Sequence, residues 1–532
     1  MTAAVSPPAG LLPEWMVVAG VIVAALLVAA AVLARPVRTR AAAMLGALVV
    51  SPLLLTAEIW ESPQVSALRD RPLLALAALA AGGAVVGVLA VVFARRPAVF
   101  ALAAIAALPF RVPIEVGGAT ANLLVPLYVV VAAGALGWLV PRLRSRDPVV
   151  AEPPLGALEW LLLGSVVLYA LQSAYAADPA KALSQVVFFY VPFAVLFTLL
   201  RGLRWTPRLL AQCLAVLLVL ALVFVAIGYV EYATRQVFFN PKVIASNQEQ
   251  EYFRVNSLFF DPSIYGRFLV VVMLGLTAVL VWSTRPRLVL GATVGLAVLA
   301  GGLLLTLSQS SFAALLAGLA TLALLRWRAR WTLVGVALAA TVAAVLVLAA
   351  PGLVGFNVSG PEALNRASSG RLNLIQGGLE LAREKTLLGW GSGSFEAEYR
   401  RRQESTSARA TAASHTIPVT VAAEQGLIGL AVYLALLGAA LLRLLAGARR
   451  MAARAALAAA FVALAAHTWL YAAFLEDPTT WALLAIGAAL AGGRGAEDAD
   501  EALIDAGDGA RSGSRGGAEA GAVPARAAPS AL

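Results

Sequence analysis

The chain carries very few charged residues for its length. Only 13% of its 532 residues are Asp, Glu, Lys or Arg, whereas 61% are hydrophobic. A water-soluble protein needs far more polar surface to cover its core, so a soluble globular domain is excluded. The apolar residues instead form runs of roughly 20, and each run can cross a ~30 Å hydrocarbon layer as a helix. A membrane β-barrel would show shorter segments of alternating hydrophobicity.

Cysteine and histidine are scarce as well, and their scarcity excludes several kinds of site. The single cysteine, Cys213, lies in an apolar run, so no internal disulfide can form. The two histidines are not paired at helical spacing, and the sequence has no cysteine cluster or Asp-rich loop that would bind a metal. The glycine-rich run Gly389–Gly393 lacks the lysine and preceding strand of a nucleotide phosphate-binding loop. We therefore expect neither a metal nor any other cofactor.

Fifteen apolar spans are predicted, and the arginines between them indicate one orientation. The spans are 15–34, 41–60, 73–94, 98–113, 119–140, 155–173, 183–200, 208–230, 264–283, 288–307, 310–327, 331–350, 418–442, 455–475 and 479–492. Seven arginine clusters fall on alternate connections, beginning after the first span. Basic connections stay on the cytoplasmic side, so the N-terminus is predicted outside and the C-terminus inside. This bias explains the net charge of +11 better than nucleic-acid binding does.

These spans predict the fold class, an all-α polytopic membrane protein with about 15 transmembrane helices. No basic segment precedes the first span, so it is predicted to be a membrane helix rather than a signal peptide. Two long connections lie on the predicted outer side, residues 231–263 and 351–418, and the second is predicted to be a large helical loop between 351 and 417. Residues 493–532, rich in Gly, Ala, Asp and Glu, are predicted to be a disordered cytoplasmic tail.

The long outer loop contains a helical pattern. Ser368 and Ser369 can cap a helix. Leu372, Ile375 and Leu379 then recur at i, i+3 and i+7 and are predicted to form one apolar face. The turn and the short basic helix expected next are Gly389–Gly393 and Phe395–Arg402. An amphipathic helix of this kind is suited to lie at the membrane interface as a lid over a site.

The two histidines are the candidate acid–base residues. His415 ends the long outer loop just before a span, and histidine is the commonest general base near neutral pH. A solvated loop histidine is the alternative interpretation. His467 lies within a span, where an ionisable residue is a functional candidate. For His467 we favour a hydrogen bond to a neighbouring helix.

Two arginines of the predicted outer loops are candidate anion ligands. Arg371 begins the amphipathic segment, and Arg254 lies in the shorter outer loop. Arginine presents a planar fork of N–H groups that fits phosphate oxygens. Arginines on the outer side run against the usual charge bias of membrane proteins, so they require an explanation. Contact with lipid headgroups is one explanation, and a bound diphosphate is the other.

An ordered set of motifs resembles the O-antigen ligase/polymerase superfamily. That family has an arginine, a Gly-x-Gly-x-Gly-x-Phe turn, a histidine and a Glu-x-Gly-Leu-Ile-Gly helix start, in this order. The corresponding residues here are Arg371, Gly389–Phe395, His415 and Glu424–Gly429. Upstream, Arg254 and the run Phe260–Gly266 resemble the family's arginine and its entry to the next helix, and Ser308–Ser311 sits where the family often has Ser-Arg. The resemblance covers about residues 250–445.

The resemblance also implies a domain organisation. The helix pattern extends the match to residues 98–492, which would form a twelve-helix core with both ends in the cytoplasm. Residues 1–97 would then be additional N-terminal helices. Three positions depart from the family pattern: Thr416 replaces an asparagine, Thr386 a proline and Gln309 an arginine.

The reaction implied by the resemblance moves a glycan from a polyprenyl-diphosphate carrier to an acceptor hydroxyl at the outer face of the cytoplasmic membrane. Arg254 and Arg371 would bind the diphosphate, and Arg371 would stabilise the charge that develops during transfer. His415 would take the proton of the acceptor. Arg400 and Glu424 are further candidate substrate-binding residues. A direct displacement would invert the anomeric centre, and it needs no metal because the carrier is already activated.

Two alternatives stay open. A polymerase of the same superfamily would use the same donor but join repeat units on the carrier. A polysaccharide or lipid transporter or flippase would place ionisable residues near the bilayer midplane and show internal repeats. Polar residues concentrate instead in two outer loops, which favours surface chemistry. The expected partners are the carrier-linked donor, a hydroxyl acceptor (lipid, wall polymer, protein or glycan) and membrane lipids, with no nucleic acid.

Overall fold

The computed structural model describes most of the chain, and nearly all of its elements are helices. The described residues are 11–62, 65–66, 69–116, 119–144, 154–238, 243–244, 247, 253–327, 334–335, 341, 371–402 and 416–492. Fourteen of the fifteen predicted spans contain a described helix. The remaining span, 331–350, lies almost entirely outside the described residues, and so does the tail 493–532.

The helices follow one another along the chain with short connections. The first part contains α1 (Glu14–Leu33), α2 (Val37–Glu58), α3 (Pro72–Arg95), α4 (Pro97–Ala107), β1 (Val112–Val116), β2 (Ala119–Leu123), α5 (Val125–Arg144), α6 (Ala157–Gln172), α7 (Pro179–Gln185), a π-helical turn (Val186–Tyr190) and α8 (Val191–Arg201). The second part contains α9 (Pro207–Thr234), α10 (Pro262–Trp282), α11 (Pro286–Thr306), α12 (Gln309–Arg326), α13 (Arg371–Glu384), α14 (Phe395–Arg402), α15 (Ile417–Leu445), α16 (Ala452–Trp469) and α17 (Pro478–Gly492).

Twelve helical segments of the described chain are long and apolar enough to cross a membrane, and α4 and α17 are shorter apolar helices. The predicted fold class of a multi-pass helical membrane protein is confirmed. The predicted short helix at Phe395–Arg402 is also confirmed, with the same bounds.

Proline and a capping side chain start several of these helices. Pro207 begins α9 and Pro262 begins α10. Proline suits this position because the first N–H groups of a helix have no partner within the helix. The residues just before them act as caps: the Thr206 hydroxyl accepts the N–H of Leu209, and the Asp261 carboxylate accepts the N–H of Ser263. Asp261 is thereby fixed at the end of α10 where the candidate site lies.

A β-hairpin replaces part of two predicted spans. β1 and β2 pair antiparallel, with Val112 opposite Leu123 and Val116 opposite Ala119. The spans predicted at 98–113 and 119–140 are therefore wrong at their facing ends. The sequence gives the reason: a proline follows α4, β-branched residues alternate, and two glycines separate the strands. The residues around the two strands are also hydrophobic, so this alternation is hard to distinguish from a continuous membrane-spanning run.

Helix α13 forms as predicted, but it buries a different face. Leu372 and Leu379 were predicted to form the apolar face together with Ile375, yet they are 37% and 42% exposed. The buried residues are Leu374, Gly378 and Leu381. Leucines occur on both sides of this helix, and the side that is buried is the one packed against α14 and α15. The candidate caps Ser368 and Ser369 lie outside the described residues.

Helix α16 lies between the two hydrophobic clusters of the bundle. Ala455, Ala459 and Ala463 face the cluster formed by α9 to α12. On the other side of α16, Ala458 and Phe461 belong to a cluster that also contains α1, α6, α8, α15 and α17. Small residues let neighbouring backbones approach closely, which is how membrane helices associate. This arrangement brings the ends of α10, α12, α16 and α17 together.

The first helix is part of the packed interior. Ala24, Ala25 and Val28 are fully buried, and α1 packs against α2, α6 and α8. Helix α3 differs, because its leucines Leu73 and Leu79 are strongly exposed. The assignment of residues 1–97 as an addition to a twelve-helix core stays a prediction, but α1 buries a larger share of its residues than several helices of that core.

Candidate active site

The glycine-rich turn between α13 and α14 is built against the first part of α15. The N–H of Trp390 donates to the carbonyl of Ala423 (3.0 Å), and that of Gly391 donates to the carbonyl of Glu424 (2.8 Å). Gly389 and Gly391 have φ values of +71° and +96°, which residues with a side chain rarely adopt. A Cβ on Gly389 would also overlap the backbone of Glu424. The turn therefore requires glycine for its dihedral angles and for its close approach to α15.

Helix α15 is interrupted where it meets this turn. Gly426 has φ +65° and ψ −163°, a conformation outside the helical region. Beyond the interruption, the N–H groups of Leu427 and Ile428 donate to the carbonyls of Thr386 (2.8 Å) and Leu387 (3.4 Å). Thr386 contributes only its carbonyl to this contact, and a proline would supply the same group. A threonine in place of the proline of the family pattern therefore leaves this hydrogen bond unchanged.

The side chain of Glu424 binds the backbone of the turn. Its Oε1 accepts the N–H of Phe395, the first residue of α14 (3.1 Å), and the carboxylate also accepts the N–H of Gly393. A carboxylate at a helix N-terminus satisfies N–H groups that have no partner within the helix and opposes the helix dipole. Glu424 thus positions the turn. Its predicted contact with substrate stays a prediction.

A second segment holds the turn from the opposite side. Nε2 of Gln172 donates to the carbonyl of Leu388 (3.3 Å), and the hydroxyl of Tyr175 donates to the same carbonyl (2.7 Å). The N–H of Ala177 donates to Oγ of Ser394 (2.9 Å). Sequence reasoning missed these residues. The available signal was a pair of polar side chains, Gln172 and Tyr175, at the predicted outer end of an apolar span.

Arg371 occupies the start of α13 and is half-buried. Its Nη1 donates to the carbonyl of Leu470 at the end of α16 (2.9 Å). Burial lowers the pKa of Arg371, the neighbours Tyr471 and Asp261 oppose this shift, and Arg254 adds to it. The predicted role of Arg371 as an anion ligand stays a prediction.

Arg254 is held by its backbone and by one side-chain nitrogen. Its N–H donates to Oδ1 of Asn247, and its carbonyl accepts Nδ2 of the same residue, both at 3.0 Å. Its Nε donates to the carbonyl of Thr306, the last residue of α11 (3.0 Å). Two residues further on, the buried carboxylate of Glu231 accepts the N–H of Asn256 (3.1 Å). The segment carrying Arg254 is thus fixed to α9 and α11.

A buried ion pair lies beside these arginines. Nη2 of Arg267 is 2.7 Å from Oδ2 of Asp477, and both side chains are less than 10% exposed. Nη1 of Arg267 donates to the carbonyl of Ala473 (3.1 Å). Sequence reasoning missed the pair, although a charged residue within an apolar run is itself a signal. Tyr471 lies in the same connection, with its hydroxyl hydrogen-bonded to Asp261.

His467 is fully buried and contacts the start of α12. Its Nε2 lies 3.2 Å from Oγ of Ser310 and 3.4 Å from Oγ of Ser311. The prediction that this histidine hydrogen-bonds to a neighbouring helix is confirmed. Ser311 also donates to the carbonyl of Ser263, so the three polar side chains join α10, α12 and α16.

Arg400 and His415 are the remaining predicted site residues. Arg400 pairs with Glu396 one turn earlier on α14 (2.6 Å) and is 46% exposed. His415 lies outside the described residues, and its neighbour Thr416 directly precedes α15. Among the described residues, no group of three or more His, Cys, Asp or Glu is placed to hold a metal ion.

Comparison with known families identifies one segment of the chain. Residues 294–434 match the family model described as O-Antigen ligase. The matched segment runs from within α11 to within α15 and includes Arg371, the glycine-rich turn and Glu424. Arg254, Arg267 and the connection after α16 lie outside it. No curated protein sequence matches the chain.

Gly426→Ala is expected to destabilise the protein strongly. The substitution places a Cβ against the backbone of Leu387 and forces a dihedral combination that costs on the order of 1–3 kcal/mol for a residue other than glycine. The melting temperature in lipid nanodiscs should fall by several degrees. Gly438→Ala in the same helix is the matched control, because nothing lies near its added Cβ. Equal melting temperatures for the two variants would contradict the requirement for glycine at the interruption.

Glu424→Ala is expected to lower both stability and transfer activity. It leaves the buried N–H of Phe395 without its partner, which costs about 1–3 kcal/mol. Glu424→Gln keeps an acceptor oxygen and should retain more of both properties. Melting temperature, kcat and KM are measured for each variant, with the exposed Glu380→Gln as control. An increase in KM for Glu424→Gln at an unchanged melting temperature would instead indicate direct contact with substrate.

Proposed function

We propose that this chain, whose residues 294–434 match the family model described as O-Antigen ligase, is a glycosyltransferase of that superfamily. The chain transfers a glycan from a polyprenyl-diphosphate carrier to an acceptor hydroxyl at the outer face of the cytoplasmic membrane. The observation that supports this proposal is that Arg254 and Arg371 are anchored to the ends of α11 and α16, at the carbonyls of Thr306 and Leu470. The contact of His467 in α16 with Ser310, near the start of α12, joins these two helix ends.

The two arginines suit a diphosphate. In the described contacts, Arg254 commits its Nε and Arg371 its Nη1 to backbone carbonyls. A guanidinium has five N–H groups, so each side chain is oriented by one bond and retains donors for phosphate oxygens. Their two positive charges match the two negative charges of a diphosphate diester. Mutual repulsion between the arginines makes such an anion more favourable at this position.

The reaction is a direct displacement at the anomeric carbon. The acceptor oxygen forms a bond to that carbon while the bond from the carbon to the diphosphate oxygen breaks. The electron pair leaves with the carrier diphosphate, and Arg254 and Arg371 stabilise the charge that develops there. His415 takes the proton of the acceptor hydroxyl, a contribution typically worth ~10²–10⁴-fold in rate. The transfer inverts the anomeric centre and uses no metal.

The surrounding elements position these groups. The turn held by Glu424 connects α13, which begins at Arg371, with α14. The exposed leucines Leu372 and Leu379 give α13 an apolar outer face that suits an interfacial position beside the carrier's hydrocarbon chain. The carrier enters laterally between helices, and the glycan remains on the aqueous side.

A ligase and a polymerase differ in the acceptor that receives the glycan. A lipid, wall polymer, protein or other glycan accepts the chain in the first case, and a carrier-linked repeat unit accepts it in the second. Both reactions use the same donor and the same arginines. The length distribution of the glycan made by the purified protein distinguishes them, because only a polymerase yields a ladder of repeat units on the carrier.

His415→Ala and Arg371→Ala are each expected to abolish surface glycan addition in the source organism. Carrier-linked glycan should accumulate at least tenfold, since the donor is still made but is not consumed. Mass spectrometry of extracted lipids measures that accumulation, and composition analysis of the cell surface measures the product.

Arg383→Ala is the matched control for Arg371→Ala, because Arg383 lies on the same helix and is exposed. It should leave both readouts unchanged. Normal surface glycan in both the His415 and Arg371 variants, with no accumulated donor, would refute the proposed function.

A further inference from the structure

The turn between α11 and α12 anchors Arg254 and has a strained shape. Thr306 ends α11, and its carbonyl accepts Nε of Arg254 at 3.0 Å. The hydroxyl of Thr306 accepts the N–H of Ser308 at 3.2 Å. Leu307, between these two residues, has φ +48°, a left-handed conformation that is costly for leucine. The backbone that anchors Arg254 is therefore held in one specific conformation by its hydrogen bonds.

Buried serines continue these hydrogen bonds into α12. Oγ of Ser308 lies 3.2 Å from Oγ of Ser310 and 2.9 Å from Oγ of Ser311. Oγ of Ser311 donates to the carbonyl of Ser263 in the first turn of α10 at 3.2 Å. Gly266 leaves the room for this contact, because a Cβ at that position would lie 2.5 Å from Oγ of Ser311. The serines are thus fixed to α10 as well as to one another.

His467 connects these serines to the end of α16. Its Nε2 lies 3.2 Å from Oγ of Ser310 and 3.4 Å from Oγ of Ser311. The single hydroxyl proton of Ser311 is donated to the carbonyl of Ser263, so Nε2 of His467 must supply the proton for its own contact with Ser311. The histidine therefore acts as a hydrogen-bond donor towards α12.

The same histidine is linked to the anchor of Arg371. The carbonyl of His467 accepts the N–H of Leu470 at 3.0 Å, and the carbonyl of Leu470 accepts Nη1 of Arg371 at 2.9 Å. The ring of Tyr471, the next residue, has its centroid 5.5 Å from that of His467. Together with the contacts of α11 and α12, these bonds complete a continuous series of hydrogen-bonded residues between Arg254 and Arg371.

The rest of this face of α16 provides little directional restraint. Ala455, Ala459 and Ala463 face the cluster formed by α9 to α12, and His467 occupies the next position at the same spacing of four residues. Alanines let helix backbones approach closely, but they form no side-chain hydrogen bonds and so permit small shifts of one helix along another. The register between the end of α16 and the start of α12 therefore depends on the directional contact that His467 makes.

We propose that His467 is a positioning residue, which fixes the spacing of Arg254 and Arg371 so that both can bind one diphosphate. It acts through the backbone carbonyls that anchor the two arginines. This inference rests on the proposed function, because it assigns both arginines to the same diphosphate.

The binding property that depends on this spacing is the preference for a diphosphate over a monophosphate. A single arginine can bind a single phosphate group. Two phosphate groups in one molecule gain from two arginines only where the geometry allows both to be engaged at once. Loss of the contact made by His467 should therefore weaken diphosphate binding more than monophosphate binding.

The test measures the affinity of the full chain in lipid nanodiscs for undecaprenyl diphosphate and for undecaprenyl phosphate. The unsubstituted chain should bind the diphosphate about tenfold more tightly, as one further charge-assisted contact allows. His467→Leu should lower this ratio to about two- to threefold, with little change in the affinity for the monophosphate. His467→Gln supplies an N–H donor on a side chain of similar reach and should restore most of the ratio.

Phe461→Leu is the matched control for a general loosening of α16. Phe461 is fully buried on the same helix, but it belongs to the cluster that contains α1, α6, α8, α15 and α17. Its substitution removes packing without removing a hydrogen bond, and it should leave the ratio unchanged. An equal fall of the ratio in Phe461→Leu and His467→Leu would overturn the proposal, and so would an unchanged ratio in His467→Leu.

Failure of the proposed function would give a different result. Arg254→Gln and Arg371→Gln should each weaken the binding of undecaprenyl diphosphate about fivefold or more. Absence of diphosphate binding by the unsubstituted chain, or no weakening in either arginine variant, would contradict the proposed function and with it the role of His467. Normal behaviour of the arginine variants with no effect of His467→Leu would overturn only the positioning role.

A double variant keeps the test decisive if His467→Leu does not fold. Ser310→Ala combined with Ser311→Ala leaves the histidine in place and removes both of its hydroxyl partners on α12. The ratio of the two affinities should fall as far as expected for His467→Leu. A full ratio in the double variant would exclude the contact between the histidine and the serines from the positioning of the arginines.

Discussion

The geometry of the candidate site depends on the buried ion pair between Arg267 and Asp477. Removing two charges from water costs several kcal/mol for each ion, and close contact with additional hydrogen bonds must offset that cost. Here the 2.7 Å contact and the bond from Arg267 to the carbonyl of Ala473 provide the compensation. The pair joins α10 to α17 and fixes the connection that gives Arg371 its backbone acceptor. Arg371, which we propose to bind the diphosphate, is therefore oriented by a buried ion pair that has no part in that proposed contact.

The glycine-rich turn and the start of α15 form a sequence motif that mainly reflects what the backbone requires at these positions. Gly389 and Gly426 each lie against the backbone of the other's segment, and Glu424 binds N–H groups of the turn. None of these three residues carries the proposed chemistry, yet all three lie in the segment that matches the family model. Few sequences can form a turn that approaches a helix so closely that no Cβ fits between them. A charged side chain that binds a ligand, by contrast, can reach its site from many positions in the sequence.

Sequence patterns predicted the parts of the structure that depend on interactions between residues close together in the chain. The apolar runs gave the helices, and the glycine pattern gave the turn before α14. The hairpin and the buried face of α13 were missed, because the first was hidden within apolar runs and the second is decided by packing against α14 and α15. In the candidate site, the roles of Arg254 and Arg371 stay predictions, and His415 lies outside the described residues. Arg267 and Asp477 were missed because their pairing joins segments that are distant in the chain.

The burial of α1 has a consequence for assembly in the membrane. This helix is completed at Leu33, but its partners α6 and α8 begin only at Ala157 and Val191. At synthesis rates of ~5–20 residues per second, α1 waits on the order of ten seconds before α6 exists. During that interval α2 can already pack against α1, but the part of α1 that α6 and α8 later cover meets lipid or other membrane proteins. The packing around α1 is therefore completed long after this helix is synthesised, so insertion order and final packing are separate events in the biogenesis of this protein.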